Sequence, residues 1–344
     1  LVLAAIASGE LGDTARGTVF LEQAAADHLQ GFWALRALRL AGTLPPSTQR
    51  RWSQELHTSL AASPPRPGDT VRTWAALTTG PLERRALQRA AATALGLRGT
   101  GAMSWGGAVA RQLWENGLPT QASRWNPRGF PRTSAFEAAW SAHQFLLAND
   151  PSWAIRLADA ALQRLATRLP ADTLPISLQR SLFPLPFPGP VLEAAVRHGV
   201  DWPLLAAVAR EESRWNPSAL SAVGARGLTQ MMPRTAAETA ARLGLEPPTP
   251  EDLFRPTVSL RLGAAELSRL LQDLDGNAAA ATAAYNAGEP QTRLWLRFAG
   301  PKSDPSWFVA AIGFTATRSY TEDVLWAQHA YRTIWKSVVP ETGR

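Results

Sequence analysis

An all-α fold is what this sequence predicts, and three observations predict it. Alanine and leucine dominate a chain in which 45% of residues are hydrophobic and only 18% charged, so it can bury a core. Clusters of Val, Ile and Thr of the kind that build strands are scarce. Apolar residues instead recur at helical spacing between short breaks containing Pro or Gly. At 344 residues the chain is long enough for two or three domains.

The elements follow in order. From Val19 to about Ala166 the pattern is helix, break, helix. FLEQAAADHLQGFWALRALRLAG ends on a glycine, and STQRRWSQELHTSLAA opens on a serine suited to an N-cap. PLERRALQRAAATALGL, MSWGGAVARQLWENG, SAFEAAWSAHQFLLAND and PSWAIRLADAALQRLA continue the series. Paired helices of this length predict an α-solenoid or superhelix of tetratricopeptide type over residues 1–170. A clean repeat of about 34 residues is missing, so a non-repetitive helical layer is the alternative. Residues 171–190 carry Pro175, Pro184, Pro186, Pro188 and Pro190 and read as a linker, because proline removes a donor and blocks helix continuation. A second helical domain is expected over 191–344, with helices near 190–198, 202–213, 233–244, 257–275, 277–287 and 315–337.

Several function classes are excluded early. The chain has no cysteine, which removes disulfides, thiolate metal sites and a Cys nucleophile. His28, His57, His143, His198 and His329 are scattered without a pair at ligand spacing, so no metal and no cofactor is expected. Net charge is +7. Residues 1–200 hold 20 basic against 13 acidic residues, while residues 201–344 hold 15 of each. An arginine excess attracts polyanions, including an anionic wall polymer, and equally describes an ordinary solvated surface. Its dispersal, with Lys302 and Lys336 the only lysines, argues against nucleic acid as a partner. LVLAAIA is too short to span a bilayer and no run of about 18 apolar residues follows, so no membrane-spanning helix is predicted.

The chemistry gathers in the second half. In DWPLLAAVAREES, Asp201 suits a cap and Pro203 a first helical turn. On a wheel of about 100° per residue, Leu204, Leu205 and Val208 define a buried side. Glu212 falls about 30° from its centre, Glu211 about 65° away and Arg210 nearly opposite. Glu212 is then a carboxyl group aimed inward at a helix C-terminus, where burial and the dipole raise its pKa toward that of a general acid. A buried glutamate paired with an arginine is the competing explanation. SAVGARGLTQMMP adds two glycines for tight turns and Gln230, and AATAAYNAGEP puts Tyr285 and Asn286 at the end of an alanine-rich helix closed by Gly288.

AREESRWNP, SAVGARGLTQMMPRTA and AAYNAGEPQTRLWL together resemble the successive motifs of the soluble lytic transglycosylases, from about Pro184 to about Tyr331. The resemblance implies a lysozyme-like helical catalytic domain behind an N-terminal superhelical region. It implies that Glu212 is the catalytic acid and Glu211 a bystander. Ser213, Ser221, Gln230, Met232, Tyr285, Asn286, Arg318 and Tyr320 are the implied substrate-binding positions. Thr229 stands where the family has methionine before the glutamine. In IGFTATRSY, Gly313 and Ala316 stand where the family usually has proline and glutamate. Trp215 and Trp295 lie near these motifs, as core residues or as sugar-stacking platforms.

What the family implies is cleavage of the bond between N-acetylmuramic acid and N-acetylglucosamine without water, leaving a 1,6-anhydro end. One glutamate then serves as acid and base, with the sugar's acetamido group in place of the second carboxylate that ordinary glycosidases need. Glycan strands of peptidoglycan are the implied partner, with the periplasm or cell envelope as location, as an exported protein peripheral to the envelope. Two alternatives keep the same fold: a lysozyme-type hydrolase, and a non-catalytic peptidoglycan-binding scaffold.

Overall fold

The computed structural model describes residues 135–164, 176–300 and 305–336, with isolated positions nearer the N-terminus. The helices expected before residue 135, and with them most of the predicted solenoid, lie outside the described residues. Among the described residues the structure is helical, without strands, and two isolated bridges join Arg226 to Leu220 and to Met231. The chain divides into two compact units, Leu56–Pro186 and Leu1–Glu55 with Phe187–Arg344.

In the first unit α1 (Ala135–Leu147) and α2 (Pro151–Arg164) pack against each other, and α3 (Ile176–Leu182) packs on both. The connection is short because Asn149 turns the chain at φ 58° and Asp150 Oδ1 accepts from the Trp153 amide at 3.2 Å. Phe145 and Trp153 stack across it at 5.7 Å between centroids. Helix α3 lies inside the proline-rich stretch: Pro175 precedes it and Pro184 follows it, so the prolines bracket the helix rather than interrupt it.

The second unit is built around α5 (Trp202–Ser213), which packs against α4 (Pro188–His198), α7 (Pro256–Asp273) and α11 (Thr315–Ile334). Helix α6 (Pro233–Arg242) and a 3₁₀ turn (Glu251–Phe254) lie against α7. Helix α8 (Ala278–Ala287) is buried along Ala279–Ala284 and packs on α7, α9 (Glu289–Ala299) and α11. Its alanines allow that close approach on several sides. Helix α10 (Pro305–Ala311) completes the unit. Helices α9 and α10 are additions to the expected set. Gly288, at φ 85°, ends α8 and opens α9 at once, so no loop marks the junction in the sequence.

Two local expectations are corrected. Every residue of α5 from Trp202 to Arg210 is buried, so that stretch has no solvent side, and only the last turn, Glu211–Ser213, is partly open. Arg210, placed by the wheel opposite the core, is only 5% exposed. The wheel assumes one buried face, and a helix enclosed by three others has none. Asp201 also makes no side-chain cap. Its Oδ2 instead accepts from Gln328 Nε2 at 2.7 Å and Arg332 Nη2 at 2.5 Å, tying the start of α5 to the far end of α11.

Candidate active site

The last turn of α5 presents Glu211 and Glu212 side by side, and their surroundings separate them. Glu211 is ion-paired to buried Arg210. Glu212 forms no ion pair among the described residues; its Oε1 accepts from Tyr320 Oη at 2.7 Å. Burial pushes its pKa from 4.5 up to about 7. The Tyr320 bond opposes that rise, and the Glu211 charge adds to it. The turn ends with Arg214 and Trp215 both at positive φ (49° and 62°), which breaks the helix in a sharp turn. Trp215 anchors that reversal: it is 1% exposed, and its Nε1 donates to Tyr331 Oη at 2.8 Å. Trp215 is therefore core, and so is Trp295, 3% exposed.

Two tyrosines face the acid. Burial and the Glu212 charge push the Tyr320 and Tyr285 hydroxyls above the usual phenol range, so both stay protonated donors. Tyr285 Oη donates to the Thr229 carbonyl at 2.9 Å, which joins the end of α8 to the 219–232 loop. Asn286 Oδ1 accepts from Thr317 Oγ1 at 2.8 Å, which joins α8 to the first turn of α11. With its carbonyl oxygen engaged, exposed Asn286 keeps its amide N–H groups for a ligand.

The loop that carries Gln230 is self-supporting. Gln230 Nε2 donates to the carbonyls of Ala219 (3.1 Å) and Gly227 (3.0 Å), so both of its donors are used and only Oε1 remains. Ser221 Oγ accepts from the Ala225 amide at 2.9 Å and closes a turn. Ser213 Oγ donates to the Ala209 carbonyl at 2.9 Å, inside the helix. Met232 is 39% exposed at the start of α6. Arg318 is half-buried on α11 and has no side-chain hydrogen bond or ion pair among the described residues. Thus Tyr320 and Tyr285 converge on Glu212, Gln230 and Ser221 shape the adjoining loop, and Ser213 works within α5.

The departures from the family motifs acquire physical reasons. Thr229 is buried, and its Oγ1 lies 3.0 Å from the Ser259 carbonyl and 3.1 Å from Ser259 Oγ. Its amide donates to the same hydroxyl at 3.1 Å. A polar residue fits there because Ser259 supplies partners and because Gly263 has no Cβ, which would stand 2.6 Å from the threonine methyl. Ser259 is a supporting residue that no motif pointed to. A Cβ at Gly313 would lie 3.1 Å from Trp295 Nε1, and Trp295 meets the ring of Phe314 edge-on at 5.1 Å. Glycine at 313 and tryptophan at 295 are thus a matched pair. Ala316 is exposed on the first turn of α11 and brings no charge there.

The site is a helical unit with a buried glutamate of raised pKa held by a tyrosine, and known proteins share that fold. Residues 189–308 match the transglycosylase SLT domain. The resemblance carried by the three motifs therefore holds. The soluble lytic murein transglycosylase of Salmonella typhimurium is 39% identical over 127 residues, covering 37% of this chain and 20% of that protein. The Escherichia coli K12 protein of the same name is 38% identical over the same length, with the same shares. Among solved structures, the 70 kDa soluble lytic transglycosylase of Escherichia coli aligns over 96% of this chain and 45% of its own, with a TM-score of 0.64 and 23% identity. An inactive mutant of the lytic transglycosylase Slt from Pseudomonas aeruginosa aligns over 96% and 48%, with a TM-score of 0.59 and 22% identity. These likenesses establish the lysozyme-like fold class. The chain spans about a fifth of the length of the curated relatives it matches.

Proposed function

We propose that this protein is a peptidoglycan lytic transglycosylase in which Glu212 is both acid and base. The observation that carries the reading is a single carboxyl group with a pKa of about 7, held through one oxygen by Tyr320 within an SLT domain. Because Oε1 is occupied, Oε2 is the atom that meets the substrate. Protonated Glu212 donates to the glycosidic oxygen as the bond from C1 of N-acetylmuramic acid to that oxygen breaks. The acetamido group of the same sugar supports C1. The Glu212 carboxylate then takes the proton of the C6 hydroxyl, whose oxygen bonds to C1 and closes the 1,6-anhydro ring. The proton returns to Glu212 and no water is consumed. Glu211 does not serve as a second catalytic carboxylate in this scheme, since Arg210 engages it.

Around that centre, we assign substrate contact to Asn286 through its amide, Gln230 through Oε1, and Arg318, Met232 and Tyr285 as cleft residues. Ser213 and Ser221 act by shaping α5 and the loop. The domain division into a helical region 1–170, a linker 171–190 and a catalytic part 191–344 belongs to the same reading. So does an envelope location; no helix among the described residues is long and apolar enough to cross a membrane.

Mass spectrometry of fragments released from purified peptidoglycan tests the reaction. Anhydro-muramic ends, one water lighter than reducing ends, are the expected product. Reducing ends would identify a hydrolase, and no fragments from folded protein would leave the binding scaffold. The pH dependence follows from the acid's state. Cleavage is expected to fall about tenfold per pH unit above about pH 7, where Glu212 loses its proton. Tyr320→Phe removes the bond that favours the carboxylate, so this basic limb should move to higher pH. A limb that stays in place or moves down would separate Tyr320 from the acid.

A further inference from the structure

Away from the cleft, a pocket of about 470 Å³ opens between α4, the end of α6 and the start of α7. Its volume lies within the roughly 300–1,000 Å³ of small-ligand sites. None of Glu212, Gln230, Tyr285 and Tyr320 lines it. The floor is apolar, with Ala194, Ala240 and Leu262 buried beneath it and Leu245 and Val258 half-buried at its sides. The rim is charged and largely self-paired. Arg197 meets Glu193 at 3.0 Å, and Arg255 meets Asp252 at 3.3 Å.

Arg261 differs from these. It lines the pocket, its Nε is buried without a hydrogen-bond partner, and it forms no ion pair among the described residues. A buried donor that has lost water and gained no acceptor is a standing cost, and Arg261 is left without a carboxylate where Arg197 and Arg255 on the same rim each have one. The uncompensated charge is felt nearby: burial first, then Arg261 and Arg197, push His198 below its usual pKa.

We propose that this pocket binds the terminal carboxylate of a short apolar peptide, with Arg261 as its anchor. The planar guanidinium offers paired N–H groups that match a carboxylate, and the floor accepts small aliphatic side chains. Rim acids, including Glu246, disfavour polyanions and leave a place for a peptide's amine. The inference leans on the peptidoglycan reading only for the ligand's source. A peptide branch of a wall polymer and a free peptide present the same carboxylate.

Calorimetric titration of the full chain with tetra-alanine, as free acid and as C-terminal amide, tests it. The acid is expected to bind with a Kd of about 1 mM or tighter, and the amide about tenfold more weakly, for loss of one charge-assisted contact. Arg261→Gln should reduce acid binding to the level of the amide, while Glu212→Gln leaves both unchanged. Equal binding of acid and amide by the unaltered protein overturns the proposal. So does an undiminished acid affinity in Arg261→Gln, or no acid binding at all. The acid–amide comparison needs no variant, so it stands even where Arg261→Gln unfolds. Displacement of tetra-alanine by peptide-bearing glycan fragments, and not by glycan stripped of peptide, assigns the polymer as source; displacement by neither assigns a free peptide. Glycan cleavage is read in a separate assay, so failure here leaves the transglycosylase reading standing.

Discussion

Glu212→Gln is expected to abolish release of anhydro-muropeptides, with a loss of about 10²–10⁴-fold or more in rate, since the amide keeps the shape but cannot deliver the proton. Fragment release from purified peptidoglycan measures it. The same variant should be more stable than the parent at alkaline pH. The carboxyl pKa is raised in the fold from 4.5 to about 7, so the folded state favours the protonated form. That preference is fully expressed below about pH 4.5 and is lost as pH rises through about 7. Ionised Glu212 then costs on the order of 3 kcal/mol, a cost the glutamine does not carry. Thermal melts at pH 5 and pH 8 should therefore show the parent losing stability relative to Glu212→Gln. A difference that does not change with pH would mean that the carboxyl group is not desolvated. Glu211→Gln is the paired control: cleavage should persist, with its basic limb moved to slightly lower pH because the neighbouring charge that helps raise the Glu212 pKa is gone. It is not silent in stability, because it takes an anionic partner from buried Arg210, at a cost of about 1–3 kcal/mol.

Gly227→Ala is expected to be the most damaging change outside the acid, costing more than about 4 kcal/mol or preventing folding. A Cβ at Gly227 would stand 1.9 Å from the Leu253 carbonyl oxygen, a backbone atom that cannot rotate away. The loop would have to lift, and Gly227 is where Gln230 is held: its carbonyl accepts from both the Gln230 amide nitrogen (3.3 Å) and Nε2 (3.0 Å). Gly224→Ala separates this clash from backbone strain. Gly224 also has positive φ, 91°, but nothing lies within 4 Å of its missing Cβ. It should cost only about 1–2 kcal/mol. Urea denaturation of the two variants decides it: similar midpoints would mean that the loop does not sit on the 3₁₀ turn as described.

Much of this could be read from the residues alone. Helical periodicity and the scarcity of strand formers predicted the all-α class, because both are local properties that survive without knowledge of neighbours. Pro203 marked the first turn of α5, and Gly288 the end of α8, through fixed or permissive φ. The three motifs marked Glu212, Gln230, Tyr285 and Asn286. Helix α9 was missed because a single glycine served both helices.

Other features depended on contacts between residues distant in the chain. The wheel favoured Glu212 over Glu211 from a one-sided helix, yet α5 is enclosed from Trp202 to Arg210 and Arg210 is inside. What separates the two glutamates is that Arg210 takes one while Tyr320, 108 residues away, takes the other. Asp201 left its expected cap because the distant Gln328 and Arg332 reach it. Thr229 was legible only as a departure until Ser259 was seen to supply its partners. The sequence by itself determined the helices, their punctuation and the types of group available for proton transfer, since these follow from short-range geometry. Only the tertiary structure decided which carboxyl group is desolvated and which arginines are paired, because desolvation and charge pairing depend on what the fold brings alongside.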